Sequence, residues 1–450
     1  MAENCNSRAF SWLVKSCIPN PQSECRREIS VSGHSGKVSA GNRDPGDRET
    51  TLGSLPDDLL LECLSRVCAT SLPAISLVCR RWSELLDSTA FYDLRRRRGC
   101  LRHAVFAVAV TDFGGVCVAS HRIGEESGWN LGFDGSCCAI EDVAPEILDG
   151  SFAHARMAAI RRWIYVVGRN ATFRYDTWSG GFSSRSAMTF PRKRFAAATV
   201  SGKIYVCGGA ARTAAVEEYD PASDTWRVVA ESPRRRYGCI GASVDGVFYV
   251  IGGLKIGNGN GCGNSDRHAE SSRDARSESH FYASSMDLFD VKARAWLRSR
   301  AVPSGGCVVA ACAAGGFIYV VASLAVELSF WRYDARRSNG GGGGGGEHHH
   351  HHNHHHHHHQ HQWCRMKSPP LPAQVRLDGT VRFCCVGVGE NVVLVQVLGC
   401  IDDLLRRSGR SCRGFKEGLV LVFDSKVGEW IRVADLPEIM RRAACLCVEC

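Results

Sequence analysis

Arginine is the side chain that recurs at a spacing suited to chemistry. Arg156, Arg194, Arg236, Arg382 and Arg442 each stand immediately before a short run of small apolar residues, and a sixth such run has Gly306 in that place. A guanidinium fork holds a carboxylate or phosphate through two parallel hydrogen bonds, so five forks on one ring would make an anion-binding mouth. The same forks could instead pair with nearby carbonyls, and the spacing alone leaves both roles open.

The other candidate ligands are less ordered. Twenty-three cysteines are spread along the chain. They are expected to be reduced and mostly buried, packing as small hydrophobes. The vicinal pairs Cys137–Cys138 and Cys384–Cys385 show no metal spacing, and Cys447 and Cys450 form one CxxC with no second pair at finger-like distance. Twelve histidines crowd between His348 and His361, behind Gly340–Gly346. Without carboxylate or thiolate partners they fix no coordination geometry. GxSxG, Walker and HExxH patterns are absent. No metal, no cofactor and no catalytic residue is therefore expected.

The 450 residues suffice for two or three domains, and 44% hydrophobic content is ordinary for a globular protein. A net charge of +9 permits an acidic partner without requiring one. The densest basic run, Arg95–Arg98, reads as a solvated helix end and not as a nucleic-acid site. The apolar patch Phe10–Val14 is too short for a signal-peptide core, and no run approaches the 18 residues of a membrane span. The expectation is a cytoplasmic or nuclear protein with no membrane partner.

The elements that must position these residues change along the chain. Residues 1–50 are polar and aperiodic and read as a disordered arm. Residues 54–98 carry helical periodicity, and residues 102–450 carry short Val-, Ile- and Tyr-rich runs separated by Gly, Asp and Pro. Three polar stretches, 254–283, 336–361 and 401–417, read as long loop insertions.

The β region repeats internally. An apolar strand with a central aromatic recurs around Phe106, Tyr165, Tyr205, Tyr249 and Tyr319, with a weaker copy at Asn391–Val395. An aromatic-Asp pair follows at Tyr175-Asp176, Tyr219-Asp220, Phe289-Asp290, Tyr333-Asp334 and Phe423-Asp424, and then a large aromatic such as Trp226, Trp296 or Trp430. The small-residue run precedes each aromatic strand except the first, and its sixth copy, Ala443–Val448, lies at the other end of the chain. Four strands per unit, six units and one displaced strand describe a ring closed by its own C-terminus. The double glycines Gly208-Gly209 and Gly252-Gly253, with the separated Tyr and Trp, resemble the kelch family and imply a six-bladed kelch-type β-propeller.

The helical segment starts at Ser54-Leu-Pro-Asp-Asp, where Ser54 could cap and the two aspartates favour the positive helix end. Three short helices are predicted, too few to bury their apolar faces without a partner. The segment resembles an F-box through Leu55, Pro56, Asp57, Leu59, Leu60, Leu64, Leu72, Leu77, Val78, Cys79, Trp82 and Leu85, with Cys63 replacing the usual branched aliphatic residue.

The F-box resemblance implies docking onto a Skp-family adaptor, and through it a cullin, by Leu55, Pro56, Leu59, Leu60, Leu64, Leu72, Leu77, Val78, Trp82 and Leu85. An F-box ahead of kelch repeats is similar to the plant F-box/kelch arrangement. It implies a substrate adaptor of a ubiquitin ligase whose propeller captures a target, acidic or phosphorylated if the arginine ring is the contact surface. The alternative is a stand-alone kelch propeller that scaffolds or catalyses. Copper-type and sialidase-type propeller enzymes are disfavoured, because His103, His121, His154, His268 and His280 are the propeller's only histidines outside the tract, and no Ser-x-Asp-x-Gly-x-x-Trp box occurs.

Overall fold

The computed structural model describes residues 54–110, 116–125, 128–131, 155–210, 212–255, 282–303, 306–324, 327–336, 362–371, 381–398, 418–440 and 443–449. The arm at 1–50, nearly all of the three insertions, and Arg442 lie outside the described residues. Two compact units divide at Leu101.

The first unit has four α-helices where the periodicity predicts three: α1 Asp57–Leu64, α2 Leu72–Ser76, α3 Arg80–Leu86 and α4 Thr89–Arg97. Pro56, not Ser54, occupies the N-cap of α1, and no side chain caps that end. Asp57 and Asp58 in the first turn supply the favourable charge instead. The apolar pattern through 71–85 is split because the Ser76 hydroxyl donates back to the Pro73 carbonyl and Cys79 takes an extended backbone as the N-cap of α3. Ser88 caps α4 by accepting from the Phe91 N–H.

Leu60, Leu64, Leu72, Ile75, Trp82, Leu86, Phe91 and Tyr92 close a core of their own. The basic run is not wholly solvated. Arg95 is buried, donating to the carbonyls of Ser65, Val67 and Cys100, and so ties α4 to the loop after α1. Arg96 pairs with Asp93, and Arg98 with Glu62, on the surface.

The second unit is a ring of six four-stranded antiparallel sheets among the described residues. Blade two runs Arg156–Ile160, Trp163–Val167, Thr172–Asp176 and Phe182–Arg185, from the inner strand outward. Blade three begins at Ala196–Val200, blade four at Ile240–Val244, blade five at Cys307–Ala314 and blade six at Val381–Val388. Blade one is completed from the far end of the chain. The closing strand Ala444–Glu449 pairs with His103–Val110 in the register Ala104↔Val448 and Phe106↔Leu446.

Six hydrophobic clusters hold the ring, one between each pair of neighbouring blades. The repeating tyrosines Tyr165, Tyr205, Tyr249 and Tyr319 are all buried in them. Each aromatic-Asp pair ends a strand as the sequence predicts, with Asp176, Asp220, Asp290, Asp334 and Asp424 accepting local backbone N–H groups.

The outer tryptophans do more than fill space. The indole N–H of Trp226 donates to Ser186, that of Trp296 to Glu231, that of Trp430 to Lys367 and that of Trp129 to Ala434. Each bond reaches a backbone carbonyl at the end of the preceding blade, and the Trp129 bond spans the closure from blade one to blade six.

The innermost strands are built of small residues because they pack backbone against backbone. A Cβ on Gly387 in blade six would stand 1.8 Å from the Ala313 carbonyl oxygen of blade five. Among the described residues no single helix is long and apolar enough to cross a membrane.

Candidate functional site

Among the described residues, Arg156, Arg194 and Arg236 do not share one ring position. Arg156 lies inside its inner strand, Arg236 lies in a separate short strand, Arg236–Tyr237, ahead of its own, and Arg194 precedes its strand at φ 52°. Measured from the equivalent pairs Ala158↔Tyr165, Ala198↔Tyr205 and Ala242↔Tyr249, the three arginines stand two, four and six residues ahead. "Just before the small run" therefore lands at different levels for these three, and Arg442 lies outside the described residues.

Arg236 is fully buried. Its guanidinium meets Asp287 at 2.8 Å, donates to the carbonyls of Gly252 and Tyr282 at 2.8 and 2.7 Å, and reaches the Ser285 hydroxyl at 3.0 Å. Arg192, which the sequence reading passed over, repeats this arrangement one blade earlier with Glu217, Gly208 and Ala215. Both arginines stand 16 residues ahead of the first glycine of a double-glycine pair, a spacing that identifies the true repeat position. Arg156 is half-buried and donates to the carbonyls of Phe195 and Cys239, lacing blade two to blades three and four. Arg194 is half-buried with its guanidinium 5.8 Å from the Tyr237 ring, and Arg382 is half-buried in blade six. A buried charge that loses its partner costs about 3–5 kcal/mol. Arg236→Ala is expected near the lower end, about 3 kcal/mol, because Arg234 still faces Asp287 at 2.5 Å. Thermal denaturation checks this, and an unchanged melting temperature would contradict it.

What Arg192 and Arg236 support is a cavity of about 470 Å³ between blades two, three and four. Arg169, Lys193, Tyr237, Leu254 and Lys255 line it, with Gly209 at its base. Arg169, Lys193 and Lys255 are exposed and Tyr237 is half-buried, so three cations border one aromatic ring. Tyr237 and Lys255 are held by the short ladder Arg236↔Lys255 and Tyr237↔Leu254. The Lys193 N–H donates to the Gly209 carbonyl, and the Gly209 N–H in turn donates to the Arg236 carbonyl, so Lys193 is tied through Gly209 to the loop of blade four.

Gly209 has φ 71°, and a Cβ there would stand 2.4 Å from the Lys193 carbonyl oxygen. Only glycine lets the two loops meet. Burial pushes the Cys207 thiol up to about 12 and raises Cys239 as well, which disfavours the thiolate of both. The arrangement of three cations beside Tyr237 and Leu254 can hold an anionic, partly apolar segment.

The first unit carries a different surface. Leu60, Leu64, Leu72 and Trp82 belong to its core, so their side chains are not available to a partner while the unit stays folded. Leu55 and Leu85 are half-buried, and Pro56 is exposed. Leu59, Leu77 and Val78 are exposed by 50, 82 and 42%. Leu77 and Val78 occupy the break between α2 and α3, Leu77 still with helical backbone angles and both ahead of the extended Cys79. The pair places two adjacent large aliphatics in water.

The F-box domain family matches residues 52–94 and the Kelch motif family matches residues 191–233. An F-box/kelch-repeat protein of Arabidopsis thaliana is 55% identical over 452 residues, spanning 100% of both chains. This chain belongs to the F-box/kelch-repeat family. A second Arabidopsis thaliana F-box/kelch-repeat protein is 25% identical over 253 residues, covering 51% of this chain and 64% of its own. The solved structure of YjhT aligns at 15% identity and a TM-score of 0.42, covering 64% of this chain and 84% of its own. In this F-box/kelch-repeat protein the kelch motif match covers the Arg192 unit, from the loop that carries Lys193 through the outer strand Thr225–Glu231.

Proposed function

We propose that the chain is the substrate-recognition subunit of a Skp–cullin–F-box ubiquitin ligase. The F-box docks a Skp-family adaptor through Leu77, Val78, Leu59 and Pro56, and the propeller captures the protein to be modified. The observation that carries this reading is the exposed Leu77–Val78 pair on an F-box whose own core is already closed. Chemistry of ubiquitin transfer belongs to the other subunits, and this chain contributes proximity. It works where those subunits are, in the cytoplasm or nucleus. The test is capture of the tagged chain from plant extract. Recovery of a Skp-family adaptor and a cullin supports the reading, while a propeller recovered without either favours a stand-alone scaffold or enzyme.

The target-binding surface in this reading is the cavity at Lys193, Tyr237 and Lys255, and its ligand is an acidic or phosphorylated segment. Single exposed ion pairs contribute only about 0.2–1 kcal/mol. Lys193→Ala with Lys255→Ala is therefore expected to weaken target capture several-fold, with the melting temperature unchanged. Added salt should weaken capture further, since charges are screened beyond about 8 Å at physiological ionic strength. Undiminished capture by the double variant would move the target to another surface.

A further inference from the structure

Cys384 and Cys385 are a vicinal pair that neither binding surface uses. Both lie in the inner strand of blade six, where alternation sends successive side chains to opposite neighbours. The Cys385 Sγ lies 3.2 Å from the Cys312 Sγ on the inner strand of blade five. Cys384 faces the other way, its Sγ 3.3 Å from the Cys445 carbonyl oxygen on the closing strand of blade one. A disulfide requires backbones that already approach closely. They do so here: Gly387, next but one after Cys385, is the residue whose Cβ would collide with Ala313, the neighbour of Cys312. All four thiols are free.

We propose that Cys312 and Cys385 are an oxidative modification site, which hydrogen peroxide converts into a disulfide joining blades five and six. Cys385 is half-buried whereas Cys312 is buried, so Cys385 meets the oxidant first. Its sulfur, after losing the thiol proton, attacks a peroxide oxygen. The S–O bond forms, the O–O bond breaks, and the departing hydroxide takes up a proton to leave as water. The Cys312 sulfur, losing its own proton, then attacks the sulfenic sulfur. The S–S bond forms, the S–O bond breaks, and a second water leaves. The two thiols together give up two electrons and two protons, and one peroxide is reduced to two waters.

The hydrogen bond to Cys312, together with burial, holds the Cys385 thiol well above the usual thiol range. Thiolate is therefore scarce and attack is slow. This suits a staple set by sustained oxidant and not a sensor of brief pulses. The staple would close a loop across 73 residues and restrict the unfolded chain, raising stability.

The experiment uses the full chain, reduced, freed of reductant, exposed to hydrogen peroxide, alkylated and digested without reduction. Mass spectrometry should find a Cys312–Cys385 cross-linked peptide, and the melting temperature should rise and fall back when reductant is restored. Cys384→Ser should retain both effects, while Cys385→Ser loses both. Absence of that peptide from oxidised wild-type chain would overturn the proposal whether or not the variants fold. So would a bond from Cys385 to any other cysteine in its place, or an equal rise in melting temperature for Cys385→Ser.

Discussion

Truncation after Pro437 is expected to abolish the cooperative melt of the propeller and leave aggregating protein. The lost segment contains the whole inner strand of blade one, Ala444–Glu449, together with Met440. Met440, Leu446 and Val448 are buried, and the segment contributes to both hydrophobic clusters that flank blade one. Burying each such side chain is worth about 1.5–3 kcal/mol. Three of them approach the roughly 5–15 kcal/mol that holds a typical domain together. The strand His103–Val110 would also lose its partner along six residue pairs and expose a row of backbone donors and acceptors. Size-exclusion chromatography with calorimetry checks the outcome. A soluble truncation with an unchanged melting temperature would contradict closure by this strand.

Replacing Leu77 and Val78 together with Asp is expected to weaken adaptor binding by about 100-fold or more, from about 1.5–3 kcal/mol for each aliphatic side chain that a partner buries. The F-box itself should stay folded, because both side chains already face water. Leu60→Ala and Trp82→Ala should behave differently. Both residues are core, and large-to-small core changes cost about 2–5 kcal/mol. Loss of adaptor binding in those two variants would report an unfolded unit and say nothing of contact. Titration calorimetry against a purified Skp-family adaptor, alongside far-UV circular dichroism, separates the two classes. Full-strength binding by the Leu77, Val78 double variant would place the docking surface elsewhere.

The features legible in the sequence are those fixed by short-range physics. Alternation along a strand, an aspartate that turns the chain back, and a tyrosine that must be buried all leave a local pattern, and six copies of it imply a ring. The displaced copy at Ala443–Val448 was legible for the same reason. The arginines were not, because their level depends on the inner strand's starting point, which varies from blade to blade. Arg236 looks like a surface cation beside Arg234 and Arg235, and only Asp287, 51 residues away, makes it a buried pair. The tryptophan latches are likewise non-local, since the accepting carbonyl belongs to the preceding blade. Leu77 and Val78 continue the apolar pattern of the helices around them, and periodicity offers no sign that the helix breaks there. The cysteines are less buried than their apolar neighbours imply: Cys63, Cys68, Cys79, Cys307 and Cys364 are exposed.

The adaptor reading requires one chain to hold two partners through two separate units. Affinity capture with the proteasome blocked tests this directly, using the wild-type chain, the Leu77→Asp, Val78→Asp variant and the Lys193→Ala, Lys255→Ala variant in parallel. The account predicts that the first variant loses the Skp-family adaptor and cullin but keeps the captured target. The second should keep adaptor and cullin and lose target. Adaptor and cullin retained by the Asp variant, or absent already from the wild-type capture, would contradict it.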